Sequence, residues 1–193
     1  MTTFEMNSLG FQHLKKYSEF LNKFENKKMF HLGITVRRYF HFAELQIRDF
    51  ERNRNTFFDR ENLVDYSEAC YSNAFSFYVL VRTCLEASKT LCDEIQKKEN
   101  NEKLKKYRQD NSKRIKRIID TANNIAKHPF KNQTTHQIFF YEPGGLDISG
   151  NMDIYEWSNP RNMLKVLEIN PINDCDQVYE YLEDLASIYL GST

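Results

Sequence analysis

The stretch DYSEACYSNAFSFYVLVRTCLEASKTLCDEIQKK, residues 65–98, contains neither glycine nor proline. Within it Ala74, Phe77, Tyr78, Val81, Cys84, Leu85, Ser88 and Leu91 recur every three or four positions, which puts them on one side of a long α-helix. A helix of that length with so broad an apolar face needs other helices to cover it, so its centre is expected to be the core of the protein.

The flanking sequence supplies the partners. Residues 31–53, HLGITVRRYFHFAELQIRDFERN, repeat the pattern through Val36, Tyr39, Phe40, Ala43, Ile47 and Phe50. Upstream, Leu9, Leu14, Tyr17, Leu21 and Phe24 approximate one face of a shorter first helix. Downstream, KKENNEK breaks the pattern, and Leu104, Tyr107, Asn111, Ile115, Ile118, Ile119, Ala122 and Ile125 then mark a helix running to Lys127.

Past Pro129 the character changes. THQIFFY (135–141), MDIYEWS (152–158) and MLKVLEIN (163–170) are short runs rich in aromatic and branched residues, separated by EPGGLDISGN and NPRN. They predict a small antiparallel sheet of two or three strands. Pro171 with Asp174 and Asp176 suits a helix start, and Val178, Tyr181, Leu182, Leu185, Ile188 and Tyr189 give that helix its stripe. The expected fold class is therefore mainly α: one domain over 1–193, with a helical bundle over 1–131, a β insertion over 132–170 and a helix over 171–193 that packs back on the bundle.

Composition agrees. In 193 residues, 40% hydrophobic and 14% aromatic side chains suffice for a core despite a mean hydropathy of -0.68. The four cysteines, Cys70, Cys84, Cys92 and Cys175, form no C-x-x-C pair and read as small buried hydrophobes in a reducing cytoplasm. With no secretory leader and no apolar run long enough for a bilayer, the expectation is a cytoplasmic protein without membrane attachment.

The net charge of zero conceals a polarity. Residues 97–131 hold 12 basic and four acidic side chains, whereas 142–193 hold two and ten. The basic band suits a phosphate backbone; equally, it suits a solvated helix face neutralised by the acidic tail folding back on it.

Familiar catalytic signatures are missing from the sequence: it has no glycine-rich phosphate loop, no H-E-x-x-H, no G-x-S-x-G and no histidine and cysteine spacing suited to zinc. Neither a metal nor a cofactor is expected. What stands out is IIDTANNIAKHPFKN, residues 118–132. Pro129 disfavours the α conformation at His128, so the helix should stop near Lys127 and leave the imidazole at its C-terminal end, where the dipole favours the protonated ring. Asn124, four residues earlier, shares that face, and Asn123 is slightly rotated from it. A titrating histidine beside amides at the end of a basic helix suits a phosphodiester; a capping histidine at a fraying helix end is the plainer alternative.

An all-helical domain whose last core helix carries Asn123-Asn124-Ile125-Ala126-Lys127-His128 resembles the HEPN superfamily of bacterial defence and toxin proteins, whose motif is arginine, a polar residue, three variable residues and histidine. Asn124 and His128 match at that spacing, and Asn123 stands where the family has arginine. The resemblance covers roughly residues 60–130 plus the final helix. It implies a metal-independent endoribonuclease in which two copies pair to line one cleft, the ribose 2′-hydroxyl attacks the adjacent phosphate and His128 moves a proton. Arg117, Arg114 or Lys127 would then replace the arginine, or the protein would bind RNA or a partner without cleaving.

Arg82 and Glu86, four apart on the long helix, are expected to form an ion pair there, or else to orient His128 or the phosphate. Arg37, Arg38 and His41 suit a phosphate contact or an exposed basic face, and Trp157 a stacked base or a core position. The partners expected are RNA and either a second copy of the chain or another protein of a defence or toxin-antitoxin system. A non-catalytic interaction subunit built on the same bundle is the competing expectation, and an enzyme acting on a small nucleotide is a third.

Overall fold

The computed structural model describes residues 14–59, 64–127, 140–159 and 162–191. Among these are five helices and one sheet: α1 (Lys15–Leu21), α2 (Lys27–Asp59), α3 (Val64–Glu99), α4 (Glu102–Lys127), then β1 (Phe140–Leu146), β2 (Met152–Asn159), β3 (Asn162–Ile169), and finally α5 (Pro171–Leu190). The architecture is mainly α, a helical bundle with a small antiparallel sheet before the last helix. No helix among the described residues is long and apolar enough to cross a membrane.

α2 and α3 make the most extensive pairing in the bundle. Val36, Phe40, Ala43, Ile47 and Phe50 from α2 meet Ala74, Phe77, Tyr78, Val81 and Leu85 from α3, all buried. These are the residues whose spacing predicts the helices. Fully burying each of the Val, Ile, Leu and Phe side chains among them contributes about 1.5–3 kcal/mol. α4 turns back along α3, with Asn101 capping it by accepting from the Leu104 amide at 3.0 Å. The reversal at Asn100 takes a positive φ of 45°, a conformation asparagine tolerates better than most side chains.

α5 closes the bundle against α1, α4 and α2. Asn170 caps it by accepting from the Asn173 amide at 3.0 Å, and Pro171 follows at the first helical position, where a missing N–H costs nothing. On α1, Phe20 meets Tyr189 edge to face at a centroid separation of 5.0 Å, and Glu183 accepts from the Lys16 and Tyr17 amides. α1 can lie this close to α2 because Gly33 faces Leu21: a Cβ there would fall 2.1 Å from Leu21 Cδ2.

The strands run in the order β1-β2-β3, each pair antiparallel. β1 extends further along the chain than the sequence pattern suggests. Pro143, Gly144 and Gly145, which read as a turn, belong to the strand, and the turn is Asp147–Asn151. An edge strand tolerates proline because one side of it owes no hydrogen bonds to the sheet, and the register shifts between Gly144 and Leu146. Residues 135–139 of THQIFFY lie outside the described residues. Asp147 Oδ1 accepts from the Ser149 and Asn151 amides at 2.8 and 2.9 Å, and Asn170 donates to Asn151 at 2.9 Å, tying the hairpin to the α5 cap. At Gly150, φ is 84°, a conformation that strains any other side chain, and a Cβ would also push the ends of the Ile172 and Arg54 side chains aside from 2.9 and 3.0 Å.

Candidate functional site

α4 continues unbroken to Lys127, and Asn123 and Asn124 occupy its last turn, both half-buried. Asn123 Oδ1 is enclosed and accepts no hydrogen bond from the described residues. His128 lies outside the described residues, as does the side chain of Lys127. Alongside this turn is an open cleft of about 540 Å³, bounded by Gln46 of α2, Phe75, Ser76, Val79 and Leu80 of α3, and Ile125 of α4. Phe42, one turn before Gln46, is 48% exposed and Val79 is 47% exposed, so the rim of the cleft is apolar.

Helical rotation sorts the rest of α4 into two stripes. Asn124 shares a face with Arg117, seven residues or about two turns back. That face looks toward the start of α5. There Arg117 donates to both oxygens of Asp174 and to Gln177 Oε1 at 3.3 Å. Asp174 is 1% exposed and also accepts from Tyr78 Oη at 2.7 Å, so one buried carboxylate joins α3, α4 and α5. Arg114 pairs with Glu180 at 3.3 Å. Tyr107 stacks on Tyr181 and donates to Asp184 at 3.3 Å. The acidic tail thus does fold back on the basic helix and neutralises Arg114 and Arg117. Both are tied to α5 and not directed at the asparagines.

Ser112, Lys116 and Ile119 make another stripe, and together with Leu85 and Lys89 of α3 and Tyr181 of α5 they line a second groove, of about 560 Å³. Among the described residues neither Lys89 nor Lys116 has an acidic side chain within ion-pair distance. Arg82, on the stripe of Leu85 and Lys89, pairs with Glu86 at 2.9 Å, with side-chain exposures of 20% and 54%. The ion pair expected at those positions is present, and a screened pair of this kind contributes at most about 1 kcal/mol.

Arg37, Arg38 and His41 lie on α2. His41 Nδ1 is 4.0 Å from Glu44, and burial, with Arg48 and Arg37 adding to it, pushes the imidazole below its usual range. Burial lifts the Glu44 carboxyl to about 7, partly opposed by Arg48. A carboxyl whose folded pKa exceeds its unfolded one stabilises the fold at low pH, and this contribution is lost as pH rises from about 4.5 through 7. Glu44→Gln is therefore expected to leave stability near pH 4 unchanged and to raise it at pH 8 by about 1–2 kcal/mol, read from urea unfolding at the two pH values. Equal stabilities at pH 8 would contradict this account of Glu44.

All four cysteines are free and buried. Burial drives the Cys84 thiol far up and that of Cys92 to about 12, which leaves no thiolate for chemistry. Among the described residues no cluster of histidine, cysteine and carboxylate side chains is arranged to hold a metal.

The sequence points to Asn123 and Asn124 at the end of α4, and they are there. It does not point to Asp174 as the hub of a three-helix network. Asp174 reads as one more acidic residue in a first turn, and only the packing of α5 on α3 and α4 gives it that role. Lys89 and Lys116 are equally silent, since they lie on different helices and Lys116 is only one of the 12 basic side chains of residues 97–131. In comparisons with known proteins, no family model, no curated protein and no solved structure matches this chain.

Proposed function

We propose that this is an HEPN-like protein that acts on RNA, in a bacterial defence or toxin-antitoxin setting, through the C-terminal end of α4. The observation that supports the reading best is the last turn of α4: Asn123 and Asn124 are half-buried in it, Ile125 of the same turn lines an open cleft, and the Asn123 carbonyl oxygen is enclosed and accepts from no donor among the described residues. An enclosed acceptor without a partner costs about 1–3 kcal/mol, a cost that a bound hydroxyl or amide removes.

In the proposed reaction His128 takes the proton of a ribose 2′-hydroxyl as the oxygen attacks the adjacent phosphorus. The P–O5′ bond breaks as the protonated His128 of the second copy gives its proton to the departing oxygen, leaving a 2′,3′-cyclic phosphate and a 5′-hydroxyl. Asn124 holds a phosphate oxygen. Arg114 and Arg117 are engaged by α5, so Lys127 is the cation we assign to the place of the family's arginine, with Arg82 and Glu86 setting the wall on the α3 side. Two copies meet across the apolar rim of Phe42 and Val79, bringing both α4 ends to one cleft.

The second reading, a non-catalytic interaction protein, is favoured by the neutralisation of Arg114 and Arg117. The test is incubation of end-labelled single-stranded RNA with the full chain in excess chelator. Fragments ending in 2′,3′-cyclic phosphate are expected. Neither cleavage nor low-salt binding would leave the second reading standing alone.

A further inference from the structure

We propose that the groove between α3 and α4 seats an acidic amphipathic helix of a partner protein. Its floor is largely aliphatic, made by Leu85, Ile115 and Ile119 with Tyr181 of α5 beside them, and its rims carry Lys89 on the α3 side and, on the α4 side, Lys116 and Lys105, the last paired with Glu102 at 3.6 Å. Arg108 also lines it, but its guanidinium is held by Asp93 at 2.9 Å. Lys89 and Lys116 meet no carboxylate among the described residues, so the groove offers uncompensated positive charge on both banks of an apolar strip.

Shape and chemistry together select the occupant. From Lys105 to Ile119 the lining follows α4 for about 21 Å at 1.5 Å per residue. A compact ligand would fill only part of that length. A nucleic-acid strand would use the cations but leave the aliphatic floor against its sugars and phosphates. A third helix laid into the ridges of the α3–α4 hairpin covers the floor with leucine or isoleucine at i, i+3, i+4 and i+7, and its flanking Asp or Glu residues reach both rims. Along α4 the lining stops at Ile119, short of the last turn that carries Asn123 and Asn124, so its use does not depend on what α4 does at its end.

The test uses fluorescence anisotropy with the full chain and a labelled helical peptide carrying a leucine stripe flanked by glutamates. Controls are a scrambled peptide of the same composition and a peptide with lysines in place of the glutamates. The native protein should bind the stripe peptide and ignore both controls. The double variant Lys89→Glu/Lys116→Glu, whose two sites are exposed, should bind the glutamate peptide about tenfold more weakly, the product of two screened charge reversals. It should also gain affinity for the lysine peptide. Circular dichroism confirms that the variant is folded. Equal binding of scrambled and striped peptides, or unchanged affinity in the double variant, would overturn the proposal. So would displacement of the peptide by an RNA oligonucleotide whose own binding depends on Lys89 and Lys116.

Discussion

Asp174→Ala is expected to cost about 2–4 kcal/mol of stability, lowering the thermal midpoint by about 5–15 °C for a chain of this size. The carboxylate is 1% exposed and serves two partners, the Tyr78 hydroxyl and the Arg117 guanidinium. Removing it strands a buried hydroxyl on α3 and leaves Arg117 with only the neutral Gln177 as a partner. Arg117 is 48% exposed and recovers part of its loss from water, which keeps the cost below that of a fully buried pair. Asp174→Asn retains an acceptor for Tyr78 and should lose less than half as much. Urea unfolding of the two variants and of Tyr78→Phe, combined in a double-mutant cycle, reads the coupling directly. A loss under about 0.5 kcal/mol for Asp174→Ala would mean that the network does not hold α5 in place.

His128→Ala is expected to slow RNA cleavage by about 10²–10⁴-fold, the range over which a positioned general acid or base acts. Asn124→Ala should slow it less, about tenfold, because a neutral amide contributes a hydrogen bond to the phosphate and no proton transfer. The Asn124 change spares the core, since Asn124 is half-buried in the last turn of α4 and the helix is held from Leu104 to Ala122 by buried contacts. Stability within about 1 kcal/mol of the parent is therefore expected for Asn124→Ala.

The bundle was legible because long, breaker-free helices announce themselves through a single period. Val36, Phe40 and Ala43 on α2, and Phe77, Val81 and Leu85 on α3, are apolar at that spacing and buried in the structure. The start of α2 at Lys27 and its end at Asp59 were not: the helix runs beyond the stretch from His31 to Asn53 at both ends, with Met29 buried at the start. β1 also extends further than its pattern. Pro143 and the two glycines after it are turn residues by propensity, and only their place on an edge strand makes them part of a sheet. At the site, the positions of Asn123 and Asn124 followed from the helix they end. The Asp174 hub did not, since it joins residues 96 and 57 positions away, and no local pattern records a contact across that distance.

The rate of RNA cleavage by the native chain and by His128→Ala, measured in a single turnover with excess chelator, bears most directly on the central claim. Both proteins are first shown to unfold at the same urea concentration. The account predicts cleavage by the native chain, with cyclic phosphate at the new 3′ ends, and a fall of at least about a hundredfold in the variant. Equal rates in the two proteins would contradict it.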